Sequence, residues 1–242
     1  MKKQAVSAVP NRRTSILVLV YGDHHELARR CLESIFAMDE PECFQLIVGA
    51  NIPCAETRGF LEESRHKIDH LVLSEVNIYK NPMMNRMLQL AQTELVWWFD
   101  DDSVVAQPDA LRQWLAKVDQ SPEQTVQWGD IWFVDGSINV ANTPIEDFVR
   151  ESSWYRGLEP RRGTGGKPRW HFATGGCWMA RRSALQLLQW PDPRLVIDFE
   201  DLILGEAIRQ QGWTIGDIGE LGVRINTETR RWTQSEVDAF RP

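Results

Sequence analysis

The sequence predicts an α/β protein with a mostly parallel, doubly wound central sheet flanked by helices, and three observations carry that expectation. Residues 16–20 and 95–99 are continuous apolar runs, 44–48 is apolar apart from Gln45, and none carries a charge, the pattern of strands buried on both faces. Segments of helical periodicity separate these runs, and strand–helix alternation of this kind builds parallel sheets. The run Leu95-Val96-Trp97-Trp98-Phe99 also ends directly in Asp100-Asp101-Asp102. In such sheets ligands bind beyond the carboxyl ends of the strands, which is where this triplet and Tyr21 fall.

The elements follow in order. After the first run, Tyr21-Gly22 marks a turn, and Asp23 with Glu26 has the spacing of a capping box. The next segment places Leu27, Cys31 and Ile35, flanked by Ala28, Leu32 and Phe36, on one helical stripe that ends before Pro41. A second strand (44–48), a weaker helix (56–65) and a short strand (71–73) come next. Pro82 suits the first turn of a helix over 82–91, and Pro108 opens another with Leu111, Trp114, Leu115 and Val118 on one face. Beyond it, 126–134 is strand-like and 177–180 again so. A short helix capped by Ser183 and a helix over 199–211 ending at Gly212 complete the series.

Between them, 150–169 reads as a long mobile loop rich in glycine and proline. Its six basic residues face two glutamates, a local net charge of +4. A solvated loop and an active-site lid are both open readings.

The chain has 242 residues, 43% hydrophobic and 25% charged, and a net charge of −7. That length suits one large α/β domain or two small ones, and the acidic balance disfavours general nucleic-acid coating. Cys31, Cys43, Cys54 and Cys177 form no CxxC pair, so they read as free thiols of a reducing compartment. Residues 1–13 are polar, basic and without an apolar leader core, and no apolar stretch reaches membrane-spanning length. The expectation is a cytoplasmic protein with a flexible segment over 1–13. His24, His25 and His171 lack metal-ligand spacing and read as surface or core histidines.

Three adjacent carboxylates at the edge of a packed core repel one another, and burial adds to the cost of their ionisation. A hard divalent cation, Mg²⁺ or Mn²⁺, relieves both penalties and shares its oxygens with a substrate phosphate. A solvated acidic turn is the competing reading.

Four places along the chain together resemble the nucleotide-sugar-dependent, inverting glycosyltransferases of family 2, which have the GT-A fold. Ile16-Leu17-Val18-Leu19-Val20-Tyr21 is similar to the opening strand, whose terminal aromatic lies near the nucleotide base. Lys80 and Asn85 keep the spacing of the stretch before the metal-binding strand. Trp98-Phe99-Asp100-Asp101-Asp102 is similar to the DxD motif. Thr174-Gly175-Gly176, followed by Phe199-Glu200-Asp201, is similar to the acceptor-side Gly-Gly and Glu-Asp motifs.

The resemblance implies a single GT-A-type, Rossmann-like domain over 14–242, with a nucleotide-binding half (14–103) and an acceptor-binding half (104–242). It implies Asp102 as metal ligand, Asp100 on the metal or the ribose, and Mn²⁺ or Mg²⁺ as cofactor. Asp201 is the implied base, with Glu200 second. Tyr21, Asn51, Lys80, Asn85, Asp100 and Asp101 are the implied donor-binding set, Asp101 contributing least. Thr174, Gly175 and Gly176 are implied on the acceptor side. Glu228-Thr229-Arg230-Arg231-Trp232 is similar to the Gln-x-x-Arg-Trp motif of processive synthases, which adds Arg231 and Trp232 to that side.

The implied partners are a nucleoside-diphosphate sugar, a UDP-sugar first, and an acceptor hydroxyl on a glycan, lipid-linked sugar or protein. The chain departs from the family where Gly49-Ala50 replace an acidic pair and Met84 an arginine, which leaves the base open. Two other readings stand beside this one. Hydroxymethylated bases of modified DNA are an alternative acceptor, served by the basic loop with Trp154, Tyr155 and Trp170. A non-catalytic nucleotide- or carbohydrate-binding module is the other.

Overall fold

In the computed structural model the described residues are 12–135, 149–156, 161–162, 168–192, 194–195, 200–219 and 221–225. Their first four strands, β1 (Thr14–Tyr21), β2 (Phe44–Asn51), β3 (His70–Ser74) and β4 (Leu95–Asp100), pair in parallel in the order β3-β2-β1-β4. Beyond β4 the sheet changes direction. β8 (Pro168–Arg181) runs antiparallel to β4 and to β6 (Thr125–Asp135), and β9 (Thr214–Asp217) closes that side parallel to β6. The two-residue β7 (Arg161–Arg162) pairs with β8, while β5 (Ser103–Val105) and β10 (Val223–Ile225) form a separate ribbon. The expected parallel pairing is therefore confined mainly to the N-terminal half, and long-range antiparallel pairing dominates the other.

Helices cover both faces, which explains why the central runs of β1 and β4 are apolar on both sides. On one face α1 (His25–Phe36), α2 (Ala55–Glu63) and α4 (Ala110–Gln120) contribute Cys31, Leu32, Ile35, Leu61, Trp114 and Val118 to a cluster with Ile16, Val18, Trp97 and Phe99. On the other, α3 (Lys80–Leu88), α5 (Arg182–Leu187) and α6 (Glu200–Gln210) pack Met83, Met87, Leu185, Ile203 and Leu204 against Leu17, Val96, Trp98 and Trp178. All five residues of the run before the triplet are 0% exposed, each contributing roughly 2 kcal/mol of burial energy. Trp97 lies 4.8 Å from Trp114, and Trp98 stacks at 6.2 Å on Trp178. The indoles on this strand are core groups, and they anchor the triplet.

Some local expectations are corrected. The N-cap of α1 is His24, with no side-chain capping bond, so Asp23 and Glu26 do not form a capping box. The helix expected over 82–91 spans Lys80–Leu88 instead, with Pro82 in its first turn as expected. Ser183 lies within α5, whose N-cap is Arg181. Gly212 does end α6, with φ +75° and the backbone bonds Gly212 N–H to Arg209 O and Trp213 N–H to Ile208 O.

The segment read as a mobile loop divides. Val149 and Trp154 are buried, the two residues of β7 pair with the start of β8, and 157–160 and 163–167 lie outside the described residues. All four cysteines are free thiols. Among the described residues no helix is long and apolar enough to cross a membrane.

Candidate active site

The register of the parallel strands sets the edge on which the site forms. Tyr21 of β1 pairs with Asn51 of β2, which pairs with Ser74 of β3, so three strand ends align. Asp100 ends β4 beside them, and Asp101 and Asp102 form the following turn. The three carboxylates of the triplet then diverge.

Each Asp100 side-chain oxygen makes one contact within the protein, which leaves it a further lone pair. Oδ1 accepts from the indole N–H of Trp98 at 3.1 Å, and Oδ2 pairs with the Lys80 ammonium at 2.9 Å. Asp101 is fully buried, and its Oδ2 accepts the backbone N–H of Tyr21 at 3.1 Å. Asp102 is half-buried at the mouth of the turn.

Lys80 begins α3 directly after Tyr79, which holds φ at +65°. A non-glycine residue in that region stores strain that the surrounding fold must offset. The Lys80 ammonium meets Glu200 Oε1 at 2.8 Å and the Gly175 carbonyl at 3.2 Å as well as Asp100. It thereby joins α3, β4, β8 and α6. Burial alone would lower the Lys80 pKa, but Asp100 and Glu200 outweigh it and hold the group above its ordinary value. Burial would likewise raise Glu200, and the Lys80 charge reverses this, leaving that carboxyl below its usual range.

Asp201 is treated differently. Its Oδ2 accepts the Gly175 N–H at 3.1 Å and its Oδ1 the Leu202 N–H at 2.8 Å. Burial and then the adjacent Glu200 charge push its pKa up to about 6. A carboxylate poised there is suited to proton transfer near neutrality.

The Gly-Gly pair makes the close approach possible. A Cβ on Gly175 would lie 3.2 Å from Glu200 Oε1 and 3.5 Å from Lys80 Nζ. One on Gly176 would lie 3.0 Å from Ile225 Cγ2. The Gly176 carbonyl accepts the Ser103 hydroxyl at 2.9 Å, tying β8 to the turn after the triplet.

Of the remaining residues expected on the donor side, Asn51 and Tyr21 serve the loop before α3. Asn51 is 1% exposed; its amide donates to Asn77 Oδ1 at 2.8 Å and accepts from Ile78 N–H at 3.0 Å. Asn77 also donates to the Tyr21 hydroxyl at 3.4 Å. Asn85 donates to the Pro191 carbonyl at 3.0 Å, bridging α3 to the segment after α5. Thr174 lies on β8 beside the glycines. Phe199, Glu228, Arg231 and Trp232 lie outside the described residues.

Sequence reasoning did not foresee that Lys80 pairs with Glu200, that Trp98 holds Asp100, or that Asp101 ties down Tyr21. A signal existed for Trp98, since residues two apart on a strand share a face. None existed for Lys80 and Glu200, which are far apart in the chain.

The cation question turns on these partners. Among the described residues no group of three or more His, Cys, Asp or Glu side chains is placed to hold a metal by itself. Mg²⁺ and Mn²⁺ commonly take one or two carboxylates and complete their shell with substrate phosphate and water. Asp102, with Asp100 beside it, fits that donor set.

The fold and site thus define a class: a GT-A-like α/β protein with acidic groups gathered at the carboxyl edge of its sheet. The Glycosyltransferase like family 2 profile matches residues 10–237, and the chain belongs to that family. No curated protein sequence matches it significantly.

Among solved structures, the mannosyltransferase PcManGT from Pyrobaculum calidifontis, in complex with GDP-Man and Mn²⁺, superposes with a TM-score of 0.58 at 16% identity. That match covers 89% of this chain and 58% of the other. S. aureus TarS 1–349 in complex with UDP gives 0.57 at 16% identity, covering 86% and 58%. The same protein with UDP-GlcNAc gives 0.51 at 16%, covering 81% and 53%. This chain therefore spans under two thirds of the solved chains it resembles, and at such identity the likeness shows the fold.

Proposed function

We propose that the chain transfers a glycosyl group, with inversion, from a nucleoside-diphosphate sugar to an acceptor hydroxyl. The observation that carries this reading is the single site in which Lys80 links donor-side Asp100 to acceptor-side Glu200, with Asp201 adjacent. The family supports glycosyl transfer, and the nucleotides in the solved neighbours support a nucleoside-diphosphate donor. The acceptor belongs to the class of glycan, lipid-linked sugar or protein hydroxyls.

Each group then has a task. Negative charge develops on the departing diphosphate, and preorganised cations stabilise it most where water is excluded. Mn²⁺ or Mg²⁺, when bound, supplies Lewis-acid stabilisation of that charge, and Asp102 with Asp100 would hold it. Tyr21 and Asn51 shape the base end, Asn51 through the Asn77 loop. Asp201 takes the proton of the attacking hydroxyl. Thr174, Gly175 and Gly176 line the acceptor side, and Arg231 and Trp232 belong to it in this reading. We read 14–103 and 104–242 as donor and acceptor halves of one domain, preceded by residues 1–13.

A thermal-shift series with UDP, GDP, UDP-GlcNAc and GDP-Man, each with and without Mn²⁺, tests the donor assignment. A ligand that binds only the folded chain stabilises it by mass action, by about 2.7 kcal/mol at a hundredfold excess over Kd, and so raises Tm. Stabilisation by one base family, strengthened by Mn²⁺, is expected. No shift with any of the four would remove the nucleotide-sugar reading.

A further inference from the structure

Lys80 has the most connected side chain of the site. An ammonium has three protons to donate, and three acceptors surround this one: Glu200 Oε1 at 2.8 Å, Asp100 Oδ2 at 2.9 Å and Gly175 O at 3.2 Å. The Gly175 peptide is held at both ends, since its N–H donates to Asp201 Oδ2 at 3.1 Å. Lys80 and Asp201 therefore grip the same residue of β8 from opposite sides.

The two neighbouring carboxylates of α6 differ in consequence. Glu200 has the cation, whereas the described bonds of Asp201 are to backbone N–H groups. A carboxylate paired directly with an ammonium is a weak base, because taking a proton would break a charge-assisted bond.

We propose that Lys80 is a positioning residue for Asp201: by holding Glu200, Asp100 and the Gly175 carbonyl together, it withdraws Glu200 from base catalysis and fixes Gly175, the residue whose N–H orients Asp201. This rests on the reading of Asp201 as the base. It gives Lys80 a task other than contact with the diphosphate, and it explains why two adjacent acidic residues do not compete for one proton. The charged groups facing Asp201 are Glu200 on its own helix and Lys80 from α3, with Asp100 of β4 on the far side of Lys80; β8 presents the Gly175 backbone.

The test needs no donor or acceptor. Carboxyl ¹³C NMR titrations of the full chain, labelled at Asp and Glu, compare wild type with Lys80→Met, Lys80→Arg and Glu200→Gln. Loss of the cation in Lys80→Met should raise the upper midpoint of the Glu200–Asp201 pair by at least about one pH unit. Lys80→Arg, which keeps the charge, should restore most of it. A Lys80→Met midpoint within about 0.3 unit of wild type, or an equal shift in Lys80→Arg, overturns the proposal.

Should Lys80→Met fail to fold, Glu200→Gln decides the matter. It should lower the Asp201 midpoint by removing the repelling charge, and an unchanged midpoint overturns the coupling. Transfer by Asp201→Asn separates the two ideas: undiminished activity sinks the base assignment while leaving the Lys80 titration result standing.

Discussion

The middle carboxylate of the triplet, Asp101, is fully buried and accepts the backbone N–H of Tyr21 at 3.1 Å. This bond ties the turn after β4 to the end of β1, so the three aspartates are not equivalent. Asp101→Ala should cost on the order of 1–3 kcal/mol, because a buried donor loses its partner. Urea denaturation checks it. A loss of donor binding with unchanged stability would show that Asp101 acts on the ligand instead.

Asp102 is half-buried in the turn that follows β4. Asp102→Ala should leave Tm nearly unchanged without ligand and abolish the extra stabilisation that Mn²⁺ gives to nucleotide binding. The same thermal-shift series reads both quantities. An intact Mn²⁺ increment would move the metal assignment elsewhere.

Asp201, pushed up to about 6 by burial and then by Glu200, predicts two pH effects. Transfer should rise with pH through about 6 as the base ionises. Stability should move the other way. The folded state binds this proton more tightly than the unfolded chain does, so the contribution is present at low pH. It is lost as pH rises from the ordinary carboxylate range to about 6. Asp201→Asn should therefore be more stable than wild type at about pH 8, by about 2 kcal/mol, and nearly equal at about pH 4. Equal pH profiles for the two proteins would contradict this.

Two glycines separate function from packing. Gly175→Ala places a methyl 3.2 Å from Glu200 Oε1 and 3.4 Å from Asp201 Oδ2, so turnover should fall at least about tenfold with little loss of fold. Gly205→Ala places one 2.5 Å from the His171 carbonyl and 2.8 Å from Phe172 Cβ. That variant should lose about 1–3 kcal/mol by overpacking of α6 on β8. Turnover and chemical denaturation of both variants distinguish the roles, and a Gly175→Ala enzyme with full turnover would discount the close approach.

The parallel half of the fold was legible because each apolar run there lies between helices on both faces, and local periodicity reports that burial directly. The antiparallel half was less so. Residues 125–135 read as a strand, but β8 extends over 168–181, well before the 177–180 segment that looked like one. Its middle carries Gly175 and Gly176, poor strand formers locally, and pairing of the flanking residues 169–173 and 178–180 with β6, with packing by α6, overrides that preference. Capping also misled at Asp23 and Ser183, where the chain enters the helix without using the side chain.

For this protein the sequence by itself determined the α/β class, the order of the N-terminal elements and the placing of the aspartates at a strand's carboxyl end. Those features follow from burial periodicity and from adjacency along the chain. Only the tertiary structure decided that Asp100 faces Lys80 and Trp98, that Asp101 is spent on Tyr21, and that Lys80 reaches Glu200. Such pairings depend on how distant elements pack, and 2.8–3.2 Å contacts between residues of α3, β4, β8 and α6 leave no trace in local composition.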